Sequence, residues 1–185
     1  MSGGNRGILS ALLGYGVGLM RLIHGLLVPT VGFVRYRCAM RLAAYQPDIA
    51  LNVGAMIRLS ACFDVPLDII EPCGFPLSIK ALKRSAMDYA DIADLTRHDS
   101  WDAFTAAPTT GRVVLMTTRA EDVLWDFQFQ VNDTILMGRE SAGVPEAVHE
   151  YCEARVKLPM FGAARSLNVA MSAGMAVSEA LRQVR

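Results

Sequence analysis

The sequence predicts an α/β fold, with a parallel sheet covered by helices on both faces, and three observations predict it. From Met40 onward, short apolar runs typical of buried strands alternate with amphipathic helical segments, as in chains built from strand–helix–strand units. A chain of 185 residues is long enough for one domain with a substantial core. Half of its residues are apolar and its formal net charge is zero, which excludes a disordered chain and a strongly basic nucleic-acid-binding protein.

The first 39 residues form an apolar, glycine-rich segment that we expect to lie outside the working fold. This segment has no acidic residue, so its arginines leave the rest of the chain with a net charge of about −4. Arg21, His24 and Pro29 interrupt the run of about 20 apolar residues that a membrane-spanning helix needs. The stretch "VRYRC" is a poor cleavage site for a secretory signal. We therefore predict a dispensable extension over 1–39, with loose membrane association as the alternative, and one domain over 40–185.

The elements of this domain follow from hydrophobic periodicity and capping residues. Strands are predicted at 41–47, 66–71, 91–95, 112–118, 133–138 and 154–160. Helices are predicted at 52–63, 78–89, 146–152 and 164–184, and over "WDAF" from residue 101. Asn52 is expected to cap the first helix, and Asp99 or Ser100 the helix over "WDAF". His98 and His149 have no catalytic or metal-binding partner nearby in sequence, so we interpret both as surface or capping residues.

Three late strands end in unusual turns, "MTTRAED", "MGRESAGVP" and "LPMFGAARSLN". Parallel sheets bind ligands beyond the carboxyl ends of their strands, so these turns predict a binding site. Gly138 directly after a strand allows a ligand to approach the backbone, and Gly143 permits a positive φ before Pro145. The first turn of the last helix adds Ser166 and Asn168. Neither a phosphate-binding loop nor a dinucleotide fingerprint is present, and the cysteines show no zinc spacing.

Together these stretches resemble a known family. "NVGAMIR", "MGRESAGVP" and "LPMFGAARSLNVAMSAG" resemble, in order and near the usual spacing, the three motifs of the SPOUT methyltransferases. "YQPDIALNVG", "IIEPCGFP" and "LTRHDSW" narrow the resemblance to the subfamily that 2′-O-methylates the wobble nucleotide of tRNA. The resemblance covers Met40 to the C-terminus. It implies a deep C-terminal trefoil knot, a rare topology, with S-adenosylmethionine bound in it. It also implies a cytoplasmic homodimer that acts on the tRNA anticodon loop, needs no metal and is not expected at membranes.

The resemblance also implies roles for single residues. Cofactor contacts would come from Met116, Thr117, Gly138, Leu158 and Ser166. Arg58 would stabilise the incipient alkoxide and fix a phosphate. Asn52 and Asn168 would shape the site, and Glu140 and Arg165 would position groups around it. Residues 138–143 read Gly-Arg-Glu-Ser-Ala-Gly where subfamily members often have Gly-Pro-Glu-Thr-Arg-Gly, a difference that leaves the target nucleotide open. The alternatives are ribose methylation at another tRNA or ribosomal RNA site and a knotted RNA-binding protein without catalysis.

Overall fold

The computed structural model of the protein describes residues 20–23, 26–29, 39–77, 86–108 and 111–185. The chain divides into two compact units, Met1–Tyr36 and Arg37–Arg185. In the first unit, β1 (Met20–Ile23) pairs with β2 (Leu26–Pro29) in an antiparallel hairpin. Most of the helix predicted at 78–89 lies outside the described residues, and its end, Met87–Asp91, is a 3-10 helix. The second unit contains the predicted α/β domain.

A seven-stranded sheet forms the centre of the second unit, and all of its pairings are parallel. Its strands are β3 (Arg41–Tyr45), β4 (Leu67–Ile70), β5 (Leu95–His98), β6 (Val113–Met116), β7 (Asp122–Val123), β8 (Thr134–Met137) and β9 (Ala154–Lys157). They lie in the order β5-β4-β3-β8-β6-β9-β7. The predicted parallel sheet is therefore confirmed, whereas the knot stays a prediction.

Four α-helices of the described residues cover both faces of this sheet. They are α1 (Ala50–Phe63), α2 (Trp101–Ala106), α3 (Glu146–Tyr151) and α4 (Val169–Val184). Helices α1 and α4 pack on one face, where Val53 and Val177 join the core that contains Leu42. Helices α2 and α3 cover the other face. There Phe104 and Val148 pack on the strand side chains that point away from α1 and α4. Side chains alternate along a strand, so each central strand supplies both cores.

The predicted cap is correct for α2 and wrong for α1. The Ser100 hydroxyl accepts a hydrogen bond from the Ala103 amide at 3.1 Å and caps α2 as expected. Helix α1 begins two residues earlier than predicted, with Ile49 at the N-cap and no side-chain cap. Asn52 is therefore the third helical residue, and its amide group is free to bond to another segment. Tertiary hydrogen bonds take precedence over local capping at this position.

Three further boundaries differ from the prediction. The amides of Ile92 and Ala93 bond to the Tyr89 carbonyl at the end of the 3-10 helix. The strand predicted at 91–95 therefore begins only at Leu95, as β5, which pairs in register with β4. Strand β7, only two residues long, was not predicted because it has no apolar periodicity, and it is held by pairing with β9. Helix α4 begins at Val169 rather than at 164 because Asn168 caps it, accepting from the amides of Ala170 and Met171 at 2.9 and 3.2 Å.

A buried ionic cluster joins β3, β4 and β5 on the face covered by α2. The Asp68 carboxylate, 2% exposed, accepts from Arg41 Nε and Nη2 at 2.7 and 2.8 Å, and His98 Nε2 lies 2.8 Å from it. His98 is buried and meets Phe104 edge-on, so its interpretation as a surface or capping residue is wrong. His149 is also largely covered, with Nδ1 accepting from Arg155 Nε at 3.0 Å. His98 is held by a partner 30 residues away in the sequence, whereas the partner of His149 lies only six residues along the chain.

We expect Asp68→Ala to lower the free energy of unfolding by about 3 kcal/mol, because its removal leaves the buried His98 ring and the partly exposed Arg41 guanidinium without their shared acceptor. Urea denaturation followed by circular dichroism measures this change. Arg119→Ala is the control: it breaks an ion pair with Glu146 in which both side chains are more than half exposed, and such pairs contribute little. Equal effects of the two variants would contradict a stabilising role for the cluster.

Candidate active site at the carboxyl ends of the central strands

A cavity of about 450 Å³ opens at the carboxyl ends of β6, β8 and β9, beside the start of α1. Three loops border it, and they are the three turns singled out in the sequence. Its wall mixes hydroxyl, amide and charged groups with apolar side chains, which are chiefly those of Ile49, Leu115, Met116, Met137, Leu158 and Met160. Small-molecule sites are usually concave, with apolar walls and a few polar groups, and have volumes of about 300–1,000 Å³. The cavity falls within this range.

All five residues expected to contact a cofactor lie in the wall of this one cavity: Met116, Thr117, Gly138, Leu158 and Ser166. Parallel pairing explains why they meet, because Met116 stands opposite Met137 on β8 and Val156 on β9. The residues that directly follow these strands are therefore neighbours, although the first and last of the five are about 50 positions apart in the sequence. Contact with a ligand remains a prediction for each of them.

Three of the four residues expected to be catalytic form a hydrogen-bonded chain in the cavity wall. Asn52 Nδ2 donates to Glu140 Oε1 at 2.9 Å, and Asn168 Nδ2 donates to Asn52 Oδ1 at 3.0 Å. The chain links the first turn of α1, the loop after β8 and the N-cap of α4. Each amide has a fixed orientation here, because its oxygen and its nitrogen both have defined partners. The family resemblance named these three residues, and in the structure their side chains are bonded to one another.

The fourth residue, Arg58, does not line the cavity. It lies on the exposed side of α1, with its guanidinium carbon 5.0 Å from the centre of the Tyr89 ring. Six residues of helix separate it from Asn52, nearly two turns, so the two side chains leave the helix at different levels. Arg165, expected to position groups around the site, is exposed on the loop that leads into α4.

The loop "MGRESAGVP" closes tightly on itself. The Arg139 and Gly143 backbones exchange two hydrogen bonds of 2.9 Å, and Gly143 has a φ of +67°. A Cβ on Gly138 would lie 2.9 Å from the Gly143 carbonyl carbon, closer than backbone atoms tolerate. The positive φ expected at Gly143 is therefore confirmed, and Gly138 is needed for the closure of the loop itself as well as for access to its backbone.

Sequence reasoning missed Asp48, which anchors this loop from the segment between β3 and α1. Its carboxylate accepts from Arg139 Nη2 and Nε at 2.5 and 3.2 Å and from the Ser141 hydroxyl and amide at 2.6 and 3.1 Å. Hydrogen bonds from Arg139 and then from Ser141 lower the pKa of Asp48 to about 2. The Asp48 carboxylate therefore stays ionised at the pH at which an ordinary aspartate takes up a proton. The ion pair is lost only as the pH falls toward 2. No local signal marks Asp48, because its partners lie about 90 residues away.

The charges of the cavity wall are already paired. Among the described lining residues, Glu140 is the single carboxylate and Arg139 the single cation. Arg139 binds Asp48, and each Glu140 oxygen accepts one hydrogen bond, from Asn52 Nδ2 and from the Asp48 amide at 2.7 Å. No histidine is among these lining residues. The arrangement suits binding and orientation of a reactive ligand better than covalent catalysis by a side chain.

The described residues contain neither a cluster of metal ligands nor a helix that could span a membrane. No group of three or more histidine, cysteine, aspartate or glutamate side chains is placed to hold a metal ion within the ranges that the structure describes. In those same ranges, no helix is both long and apolar enough to cross a membrane.

Known proteins resemble this chain in sequence and in structure. A curated tRNA (cytidine(34)-2′-O)-methyltransferase of Beijerinckia indica subsp. indica is 53% identical over 145 residues, which cover 77% of this chain and 91% of that protein. A solved structure described as giving structural insights into the 2-OH methylation of C/U34 on tRNA is 42% identical to this chain, with a TM-score of 0.74. The match covers 78% of this chain and 95% of that one.

A third relative carries a ligand. The SpoU methyltransferase AviRb from Streptomyces viridochromogenes, solved in complex with the cofactor AdoMet, is 27% identical with a TM-score of 0.66, and the match covers 81% of this chain and 62% of that one. The SpoU rRNA Methylase family matches residues 39–178, a range that holds every strand of the seven-stranded sheet and every residue of the cavity wall. By this match, the chain belongs to the SpoU rRNA methylase family.

Proposed function

We propose that this protein transfers a methyl group from S-adenosylmethionine to the ribose 2′-hydroxyl of the wobble nucleotide, position 34, of tRNA. The observation that carries the proposal is the cavity at the strand ends, with Asn52, Glu140 and Asn168 hydrogen-bonded in its wall. It occurs in a chain that spans 91% of a relative named for that reaction at 53% identity. A tRNA substrate implies the cytoplasm as its location.

The cavity suits S-adenosylmethionine in size and in chemistry. The apolar side chains of Leu115, Met116 and Leu158 offer a surface for a flat heterocycle, while Thr117 and Ser166 offer hydroxyl groups for its polar atoms. Gly138 leaves the backbone accessible at the end of β8. When bound, this cofactor supplies an electrophilic methyl group on a sulfonium. The protein therefore has to orient the acceptor hydroxyl and assist the loss of its proton.

The side chains divide these tasks in our proposal. Asn52, Glu140 and Asn168 keep the three loops in a fixed arrangement and so define where the ribose can lie. Arg58 stabilises the oxygen as its negative charge develops and holds a neighbouring phosphate, for which a planar guanidinium is well suited. Arg165 adds a cation on the exposed loop before α4, where it can meet the phosphate backbone.

We infer that the active form is a homodimer, because Arg58 lies outside the cavity of its own chain and an apolar surface is left open. On α4 and the adjacent loop, Met171, Trp125 and Met175 are 59%, 51% and 39% exposed. They surround Gly174, where an added Cβ would meet no atom within 4 Å. Small residues on a helix allow close helix packing, and exposed apolar patches of this kind mark interaction sites. A second copy of the chain would cover this surface.

The domain boundary and the absence of a metal are also proposals. The family match begins at residue 39, which supports a catalytic domain over 40–185 and a dispensable extension over 1–39. The chemistry requires no metal, since the methyl donor is already electrophilic.

Nucleoside mass spectrometry of total tRNA tests the function directly. In a strain that lacks this protein we expect the 2′-O-methylated nucleoside to be lost from position 34, and a gene copy encoding the full chain should restore it. A copy encoding residues 40–185 should restore it equally well if the extension is dispensable. An unchanged position 34, with loss of a 2′-O-methyl group elsewhere in tRNA or in ribosomal RNA, would support the alternative target. No loss anywhere would support RNA binding without catalysis.

Gly138→Ala should weaken binding of S-adenosylmethionine by about tenfold or more, because the added Cβ forces the loop after β8 away from the geometry that borders the cavity. Isothermal titration calorimetry gives the affinity. Ala142→Ser is the matched control, since it also adds one heavy atom to this loop but at an exposed residue outside the cavity wall. Unchanged affinity in Gly138→Ala would place the cofactor elsewhere.

Arg58→Ala should reduce methylation by about a hundredfold or more, since one preorganised charge at a developing oxyanion is worth that much. Cofactor affinity and the mass of the dimer should stay as in the wild type. Arg185→Ala, which removes an arginine bonded to the Phe63 carbonyl at 2.8 Å, serves as control. Loss of the dimer in Arg58→Ala would instead indicate a structural role for Arg58.

A further inference from the structure

Three consecutive residues of the loop after β8 bind a single residue of the segment between β3 and α1. Arg139 and Ser141 both donate to the Asp48 carboxylate, and between them Glu140 Oε2 accepts from the Asp48 amide at 2.7 Å. Asp48 thus fixes the residue before Glu140, the residue after it and one oxygen of Glu140 itself. In the sequence, this loop differs at residue 139 from the usual subfamily pattern, and that difference alone assigns no task to Arg139.

We propose that Arg139 and Asp48 form a clamp that sets the position of Glu140, so that both are positioning residues for the cofactor cavity rather than contacts to a nucleotide. This inference rests on the proposed function. It goes beyond that function because it assigns a task to Arg139, which stands where members of the subfamily often have proline.

The donors of the Arg139 guanidinium are occupied by neighbouring residues, although Arg139 itself borders the cavity. Nε and Nη2 bind Asp48, and Nη1 lies 3.4 Å from Gln46 Oε1. Its backbone amide and carbonyl are both bonded to Gly143. A phosphate contact needs a guanidinium with free donors that face solvent, which the exposed side chains of Arg58 and Arg165 provide better.

The contacts between Asp48 and the loop are numerous and partly shielded from solvent, so they can hold the loop in place. Asp48 receives four hydrogen bonds on its two carboxylate oxygens, two of them from a charged donor, and such charge-assisted bonds are stronger than neutral ones. Its side chain is 19% exposed and that of Arg139 33%. By contrast, an exposed ion pair such as Arg119 with Glu146 is screened by water and constrains little.

From Asp48 the effect passes to the cavity through hydrogen bonds. Glu140, held from one side by the Asp48 amide, accepts from Asn52 on its other oxygen, and Asn52 accepts from Asn168. If the clamp opens, the loop of residues 138–143 loses its anchor, and Glu140 loses the constraint that aligns it with Asn52. We therefore expect effects on cofactor affinity and on turnover, with recognition of tRNA preserved.

The test compares Arg139→Gln, Asp48→Asn and the double variant in the full-length protein. Calorimetry gives the dissociation constant for S-adenosylmethionine, and steady-state methylation of tRNA gives kcat and KM. Each single variant should weaken cofactor affinity and lower kcat by about tenfold, with KM for tRNA within about twofold of the wild type. The double variant should be no worse than either single one, because both remove the same interaction. Arg139→Lys should recover part of the loss.

Arg97→Gln is the matched control. Arg97 binds one oxygen of Glu71 through Nη2 and Nε at 2.7 and 3.1 Å, nearly the geometry of Arg139 with Asp48, but outside the cavity wall. Arg97→Gln should leave the dissociation constant, kcat and KM unchanged. If Arg139→Gln or Asp48→Asn lowers the melting temperature sharply, Ser141→Ala provides a milder variant, since it removes one hydrogen bond to the Asp48 carboxylate, and it should give a smaller change in the same direction.

Two results would overturn the proposal. In the first, Arg139→Gln raises KM for tRNA but keeps the wild-type cofactor affinity, and Asp48→Asn has wild-type values of all the constants. This result would make Arg139 a nucleotide contact. In the second, neither variant changes any constant. Failure of the proposed function is distinguishable from both, because the wild-type protein would then bind no S-adenosylmethionine or methylate no position 34.

Discussion

The parallel register of the central sheet is the constraint on which the candidate site depends. Because β3, β8, β6 and β9 are neighbours and all run in the same direction, their carboxyl ends reach one edge together. The loops that follow them therefore meet, although they come from distant parts of the chain. The buried faces of the strands fix this register, since a shift by one residue would turn every apolar side chain to the wrong face. Packing on two sides of the sheet thus determines the geometry of a polar site at its edge.

Sequence patterns predicted the parts of this structure that local forces determine. Strands β6 and β8 are short apolar runs between polar turns, and buried strands have that pattern. Ser100 caps α2 as its residue type favours, and Gly143 has the positive φ for which glycine is suited. The unusual turns after three strands predicted where the site lies, and the family resemblance assigned roles to single residues within it. Their convergence follows from the sheet topology, which no single motif contains.

The failures share one physical cause, which is that a long-range partner outcompetes a local preference. Asn52 has the residue type of an N-cap but bonds to Glu140 instead. His98 has no partner near it in sequence, yet Asp68 on the neighbouring strand holds it in the core. Asp48 is one aspartate among many until folding brings Arg139 beside it. Spacing along the chain carries no information on contacts that only the completed sheet creates.

The double use of Asn168 limits how this position can vary. Its side-chain oxygen caps α4, while its side-chain nitrogen donates to Asn52. Serine and aspartate are equally good helix caps and threonine is only somewhat weaker, but none of them has the nitrogen donor, and aspartate would add a negative charge close to Glu140. Glutamine has both groups on a side chain one methylene longer. A position that looks permissive by the rules of helix capping is therefore restricted to a single amino acid once both ends of its amide are engaged.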